Sequence, residues 1–227
     1  MSAPLQTPPE PEIEAAVLAQ LEALPLDPGR PLLAVDADEV LVHLAEHLAR
    51  FVYGLGYEMR LTRYRLDGAV RRRDTGEVVA FADTLALIDR FFHEEAHAQQ
   101  AIEGAAEALA RLSVKAQVMV LTNVPRHARE TRIANLAGLG MGYPLVENSG
   151  GKGRALAWMA ARVAGPVVFI DDSPNQIVSA ARYAPEVVRV HFVGAPYVTA
   201  LIPEVGEAHH RVASWAEAEP VLAAALG

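Results

Sequence analysis

Two aspartates that lie one residue apart interrupt an apolar run near the start of the chain. Asp36 and Asp38 follow the letters LLAV, and the sequence becomes apolar again at Val40. Carboxylates at the end of a buried strand are costly unless they cap a turn, bind a cation or take part in chemistry. At this spacing one carboxylate could act as a nucleophile and the other could exchange a proton. We therefore treat both as candidate catalytic residues.

Polar residues also follow two later apolar runs. The run QVMVL ends at Thr122-Asn123, and the run VVFI ends at Asp171-Asp172. Ligands of open parallel sheets bind beyond the carboxyl ends of the strands, so we expect these residues at one edge. Four aspartates there would repel one another unless a cation lay among them. Carboxylates are hard oxygen ligands, and such ligands favour Mg²⁺, above all at a site that also binds a phosphate group.

A lysine in a glycine-rich loop, Lys152, is a further candidate. The chain has only one other lysine, Lys115, and the loop reads NSGGKGRA. Such a lysine can place a compact positive charge close to an anionic intermediate. The loop is not a phosphate-binding P-loop, because Gly153 follows the lysine where Ser or Thr is required.

Four apolar runs that alternate with helical patterns predict the fold class. They span residues 31–36, 116–122, 165–171 and 186–193. Such runs are typical of parallel strands buried on both faces and connected by helices. We expect an α/β core over residues 28–42 and 103–227, preceded by an N-terminal extension (1–27) that is partly helical.

Residues 43–102 do not follow this alternation. They begin and end with helical patterns, and Asp67-Gly68 between them is typical of a hairpin turn. We expect a small inserted cap of helices and a β-hairpin, and we call residues 43–102 the cap segment.

Composition excludes several classes of protein. The 227 residues are 52% hydrophobic, enough for one sizeable domain or a core with a small insert. A net charge of −8 argues against general nucleic-acid binding, and the absence of cysteine excludes disulfides and thiolate metal sites. The N-terminus lacks the pattern of a signal peptide, and no apolar run approaches the roughly 20 residues of a membrane helix. We expect a cytoplasmic protein without membrane contact, and its oligomeric state is not readable.

The order of these motifs resembles that of the haloacid dehalogenase-like (HAD) superfamily of aspartyl-phosphate phosphohydrolases. The motifs AVDADEVLV, VMVLTN, GGKGR and VVFIDDSPNQI occur in this order within residues 31–193. The resemblance implies a three-layer, Rossmann-like parallel-sheet core. It also places the chain in the phosphatase-like subgroup, with a cap inserted after the first motif.

The resemblance also implies a role for each motif residue. Asp36 matches the nucleophile that forms a phospho-aspartate, and Asp38 matches the general acid and base. Thr122 and the backbone amide of Asn123 match the groups that bind the transferring phosphoryl. Lys152 matches the lysine that offsets the charge of Asp36 and the phosphoryl oxygens. The implied activity is Mg²⁺-dependent hydrolysis of a small soluble phosphate monoester.

The last motif implies the metal site but departs from its usual form. Asp171 and Asp172 match the Mg²⁺ site, completed by Asp36 and the Asp38 backbone carbonyl. Asp171 stands where a glycine is common, and Gln176 stands where the final aspartate is common. We expect Asp172 to be the direct ligand and Asp171 to lie nearby.

Three other functions fit parts of the sequence. A phosphotransferase or phosphomutase would need an acceptor other than water, and Gln176 alone supports a non-catalytic binding or regulatory module. The letters HEEAH, with His93 and His97 one helical turn apart, match a zinc-hydrolase pattern without a third ligand.

Six arginines of the cap segment form either a solvated hairpin or a face that attracts an anionic substrate: Arg60, Arg63, Arg65, Arg71, Arg72 and Arg73.

Overall fold

The computed structural model describes residues 12–227, which contain eight strands and eight α-helices. The strands are β1 (Leu32–Val35), β2 (Tyr57–Met59), β3 (Val70–Arg72), β4 (Gln117–Thr122), β5 (Leu145–Glu147), β6 (Val167–Asp171), β7 (Val188–Phe192) and β8 (His210–Val212). The helices are α1 (Ala15–Glu22), α2 (Ala45–Gly54), α3 (Phe81–Glu94), α4 (Ala105–Leu112), α5 (Arg129–Gly138), α6 (Gly153–Ala160), α7 (Pro174–Tyr183) and α8 (Trp215–Leu226).

Six parallel strands form the central sheet in the order β5-β4-β1-β6-β7-β8. Every residue of β1, β4 and β6 is buried, which explains their continuous apolar letters. The predicted α/β class is therefore confirmed. The short strands β5 and β8 were not predicted, because three residues carry too little periodicity to be recognised.

Helices cover both faces of the sheet, so the core has three layers. Alternate residues of β1 point to opposite faces: Leu33 and Val35 join one buried cluster, and Leu32 and Ala34 join the other. Helices α4 and α8 contribute to the first cluster, and α6 and α7 contribute to the second. Residues 1–11 of the predicted extension lie outside the described residues. Helix α1 packs on the second cluster through Val17 and Leu21.

The cap segment contains α2, the β2–β3 hairpin and α3. The two strands are antiparallel, with Met59 opposite Val70. The predicted turn at Asp67-Gly68 is present, because the Ala69 amide donates to the Leu66 carbonyl over 3.1 Å and Gly68 has a positive φ of 73°. The run before the turn is not a strand, however, since β2 ends at Met59 and a loop over residues 60–69 joins the two strands. Leu61 and Leu66 of this loop pack on the buried cluster instead of pairing as a strand, which explains the alternation that suggested one.

Among residues 12–227, none of the helices combines the length and the apolar character that spanning a bilayer requires.

Candidate active site

Asp36 lies at the carboxyl end of the central strand, level with the ends of both neighbouring strands. Val35 pairs with Val120 of β4 and with Ile170 of β6. The Asp36 amide donates to the Ile170 carbonyl over 3.0 Å, which fixes the backbone as it leaves the sheet. Polar residues that follow three strands therefore meet at one edge, as we expected from the sequence.

Lys152 places its ammonium between two carboxylates. Its Nζ lies 2.7 Å from Asp36 Oδ1 and 2.6 Å from Asp171 Oδ2, and the residue is only 1% exposed. Burial by itself would lower the pKa of Lys152, but the adjacent charges of Asp171 and Asp36 outweigh it and raise that pKa. The ammonium therefore remains protonated beside the candidate nucleophile.

Two side-chain amides hold the loop that presents Lys152. Gln176 Oε1 accepts from the Lys152 amide (2.8 Å), and its Nε2 donates to the Gly150 carbonyl (3.1 Å). Asn123 Nδ2 donates to the same carbonyl over 2.8 Å. The sequence predicts only a backbone role for Asn123, and Gln176 departs from the usual form of the last motif. Their side chains fix the lysine loop, and an aspartate at 176 could not donate the second bond.

The surroundings of Asp171 and Asp172 differ. Asp171 Oδ2 contacts Lys152, and its Oδ1 accepts the Ser173 amide over 2.8 Å. Asp172 is also buried, and its Oδ2 accepts a hydrogen bond from the Tyr64 hydroxyl of the cap segment. Because both Asp171 oxygens already have partners, this geometry favours Asp172 as the more available ligand.

Three buried carboxylates form a group that could hold a cation. One oxygen from each of Asp36, Asp171 and Asp172 lies within 4.8 Å of the others. Burial raises the pKa of Asp171 to about 7 and raises the pKa of Asp172 well above its usual value. A single ammonium cannot balance three ionised carboxylates in this position, so the donor set fits a divalent cation such as Mg²⁺.

Thr122 brings an unpaired hydroxyl to the same edge. It ends β4 and is fully buried, and its Oγ1 has no hydrogen-bond partner among residues 12–227. A buried hydroxyl without a partner is unfavourable in the fold itself. Its position suits a donor that is satisfied only when a phosphoryl group is present.

Asp38 is held by two residues that sequence reasoning missed. Arg132 Nη2 donates to Asp38 Oδ1 over 2.6 Å, and Gln99 Nε2 lies 3.4 Å from the same oxygen. Burial raises the pKa of Asp38, and this effect exceeds the opposing attraction of Arg132. Asp38 therefore has a fixed partner on one oxygen.

A signal for Arg132 was present in the sequence. Ala128 and Leu136 precede and follow it by four residues, and all three are buried on one face of the α5 region. A charged residue within such an apolar stripe needs a buried partner. The partner itself could not be read, because it lies 94 positions away along the chain.

Glu39 is another polar residue of the site that the sequence did not reveal. It is 4% exposed and has a positive φ of 60°, an uncommon backbone conformation for a residue with a side chain. Its Oε1 accepts the amides of Leu44 and Ala45, at the start of α2. Burial raises its pKa to about 7.

The HEEAH pattern does not form the helical pair that it suggests. Helix α3 ends at Glu94, so His93 and His97 are not on one helix, and His97 lies in the 3-10 helix Ala96–Ala98. His93 instead stacks on His127 with ring centroids 4.0 Å apart. With Asp89 these two histidines form an exposed group of possible donors, which does not include His97.

Several cap arginines are engaged with neighbouring groups. Arg60 pairs with Glu58 at 2.7 Å, and Arg72 pairs with Asp74 at 3.1 Å. Arg73 stacks over the Tyr53 ring at 3.8 Å. These contacts fit the solvated-hairpin interpretation, and attraction of an anionic substrate stays a prediction.

Solved structures share this architecture. A HAD family hydrolase from Deinococcus radiodurans with bound phosphate and sodium is 21% identical (TM-score 0.56), the match covering 88% of this chain and 97% of that one. A candidate HAD hydrolase from Bacillus subtilis bound to magnesium is 14% identical (TM-score 0.53), with 86% and 99% covered. A candidate beta-phosphoglucomutase from Thermotoga maritima is 17% identical (TM-score 0.55), with 85% and 98% covered.

No protein-family model matches the chain, and no curated protein matches it. The chain has the haloacid dehalogenase-like fold, and at the level of the fold the predicted resemblance is confirmed.

Proposed function

We propose that the protein is an Mg²⁺-dependent hydrolase of a small soluble phosphate monoester, acting through a phospho-aspartate at Asp36. The observation that carries this proposal is the contact of Lys152 with both Asp36 and Asp171, at 2.7 and 2.6 Å. It places a fixed positive charge beside Asp36, at the carboxyl end of β1. Phosphoryl transfer depends mainly on such positioning and charge stabilisation.

In the first step an Asp36 oxygen bonds to phosphorus as the bond between phosphorus and the ester oxygen breaks. The leaving oxygen takes a proton from Asp38 and departs as the alcohol. Burial raises the pKa of Asp38, which increases the fraction of the protein that begins this step with Asp38 protonated. Thr122 Oγ1, which has no partner among the described residues, would donate to a phosphoryl oxygen.

In the second step Asp38 takes a proton from a water molecule. The water oxygen attacks phosphorus, the bond to Asp36 breaks, and inorganic phosphate leaves. Lys152 stays protonated in both steps and offsets the negative charge of Asp36 and the phosphoryl oxygens.

The metal would be held by Asp36 and Asp172, with the Asp38 carbonyl and Asp171 close by. Bound there, Mg²⁺ would neutralise part of the charge on the transferring phosphoryl. The fit rests on the group of three buried carboxylates, which outnumber the single ammonium beside them.

The test is hydrolysis of p-nitrophenyl phosphate by the wild type and by Asp36→Asn. We expect the variant to lose on the order of a thousandfold or more in kcat, because the amide cannot act as the nucleophile. EDTA should abolish wild-type activity, and added Mg²⁺ should restore it. Asp83→Asn, an exposed position on α3, is the matched control and should retain activity. Activity that survives both Asp36→Asn and EDTA would contradict the mechanism.

Phosphoryl transfer to an acceptor other than water is a second candidate, supported by the structural similarity to the candidate mutase from Thermotoga maritima. Product analysis with an added alcohol distinguishes the two, since a transferase forms the new phosphate ester in excess over inorganic phosphate. A non-catalytic binding or regulatory module is a third candidate, and a panel of phosphorylated metabolites assayed with Mg²⁺ tests it: binding without phosphate release would favour it.

A further inference from the structure

A cavity of about 380 Å³ lies between the cap segment and the core. Its walls are mainly apolar and come from α2, the β2–β3 loop, α3 and the segment after β7. The apolar lining residues include Leu48, Leu61, Leu66, Phe81, Leu85 and Val198. This volume is at the lower end of the range for small-molecule sites, which is about 300–1,000 Å³.

The cavity adjoins the carboxylate group through two of its own residues. Tyr64 lines the cavity, and its hydroxyl donates to Asp172. Glu39 also lines it and follows Asp38 directly in the chain. A molecule whose phosphate lies at Asp36 could therefore extend its organic group into this space.

Two apolar side chains at the cavity are left partly in solvent. Phe81 and Leu85 lie one turn apart on α3, and each is 49% exposed although both line the cavity. Large apolar side chains clustered around a concave space are typical of a binding site, whereas single exposed ones need no explanation. An apolar ligand would cover both.

The polar groups of the lining offer little to a hydrophilic ligand. Glu39 is 4% exposed, its Oε1 accepts two backbone amides, and its Oε2 is enclosed within the protein, without a partner among the described residues. The other charged lining residues, Arg65 and Asp67, lie 3.7 Å apart and pair with each other. A sugar needs many more polar partners than this to replace the water it leaves.

We propose that this cavity binds the apolar organic group of the substrate, so that the substrate is the phosphate ester of an aromatic or branched aliphatic alcohol. This inference rests on the proposed hydrolase function, since it assigns the same phosphate to Asp36.

The test is equilibrium binding, by calorimetry with Mg²⁺ present, of two probes that are not hydrolysed: phenylphosphonate and methylphosphonate. We expect the wild type to bind phenylphosphonate at least tenfold more tightly. The double variant Phe81→Gln/Leu85→Gln should lose most of that ratio and keep its affinity for methylphosphonate. Both positions are half-exposed, so the variant should fold, and circular dichroism checks this. Val78→Gln, also 49% exposed in the cap segment, is the matched control and should keep the ratio.

A parallel kinetic series separates this inference from the hydrolase proposal. We expect kcat/KM to rise from methyl to butyl to phenyl phosphate and to be lowest for glucose 6-phosphate. Equal affinity of the wild type for both phosphonates would overturn the inference, even in an active phosphatase. A retained preference for phenylphosphonate in a protein that hydrolyses none of the esters would support the cavity assignment and overturn the hydrolase proposal.

Discussion

At the scale of single residues, the contact between Asp38 and Arg132 is the clearest departure from what the motif alone suggests. Arg132 is fully buried, and its Nε and Nη1 have no partner among the described residues. Asp38 is thus the only acidic partner that the structure gives this guanidinium within residues 12–227. Loss of either charge would leave the other buried or half-buried without a partner.

We expect Arg132→Met and Asp38→Asn each to lower the free energy of unfolding, by up to about 3–5 kcal/mol. The double variant should lose clearly less than the sum of the two, because neither charge then remains unpaired. Urea unfolding of the four proteins measures the coupling. Strictly additive losses would show that the 2.6 Å contact contributes no coupling free energy.

Thr122 gives the opposite expectation, a loss of activity without a loss of stability. Replacement by the isosteric Val removes a buried hydroxyl that has no partner in the described fold. The melting temperature should therefore stay unchanged or rise. In contrast, kcat should fall on the order of 100-fold, as for other lost donors to a transition state. A variant that melts lower and keeps its activity would give Thr122 a structural role instead.

Residue types and spacing predicted which groups meet at the sheet edge, but not what surrounds them. Asp36 and Thr122 could be found because each ends a recognisable apolar run, and Lys152 because it is one of only two lysines and lies in a glycine-rich loop. Tyr64 and Glu39 could not be found, since their position depends on how the cap segment folds back over the core. Pairwise contacts between distant segments leave no periodic trace in one sequence.

At the scale of elements, the packing of α6 against α7 fixes where Lys152 can lie. Gly153 begins α6, and its amide donates to Ser179 Oγ of α7 over 2.8 Å. A Cβ at this glycine would lie 2.1 Å from the Ser179 carbonyl oxygen, which is backbone and cannot move aside alone. The two helices approach this closely only because position 153 has no side chain.

Gly153→Ala should therefore destabilise the protein by about 1–3 kcal/mol and lower kcat, because Lys152 moves with the start of α6. The matched control is Gly138→Ala at the end of α5, where an added Cβ meets no atom within 4 Å. That control should be neutral or slightly stabilising. Thermal unfolding and the phosphatase assay measure both effects, and equal behaviour of the two variants would contradict the packing argument.

The long buried strands, the amphipathic helices and the turn at Asp67-Gly68 were predictable, but the first strand of the hairpin was not located correctly. Strands β4 and β6 carry continuous apolar letters because both faces of each strand are covered. The loop over residues 60–69 alternates in the same way as a strand, but its apolar residues pack inward from an irregular backbone. Alternation alone cannot distinguish these two cases.

At the scale of the whole molecule, the buried carboxylates couple stability to pH and to metal. Burial raises the pKa of Asp171 to about 7 from 3.8 in the unfolded chain, and Asp172 shifts in the same direction. Without metal, the folded protein then holds protons that the unfolded chain has already released. Stability from these groups is present at low pH and is lost as the pH rises through about 7.

We therefore expect Mg²⁺ to raise the melting temperature more at about pH 8 than at about pH 5.5, because fewer protons must be displaced at the higher pH. Differential scanning fluorimetry with and without Mg²⁺ measures this difference directly. The difference in melting temperature between samples with and without metal, taken at one pH, removes the contribution of other titrating groups. These include histidines whose pKa burial lowers, such as His191 and His209. Asp172→Asn should remove most of the effect, and an equal shift at both pH values would argue against the carboxylate site.

The order of strands in the sheet has a consequence for synthesis on the ribosome. β1 is made first, yet its two hydrogen-bonded neighbours, β4 and β6, begin only at Gln117 and Val167. A nascent chain that ends between them has one edge of its most apolar strand unpaired, and such edges promote aggregation. We expect premature truncation before residue 167 to yield insoluble fragments, so the strand that delivers Asp36 would also be the part of the growing chain that most depends on a chaperone.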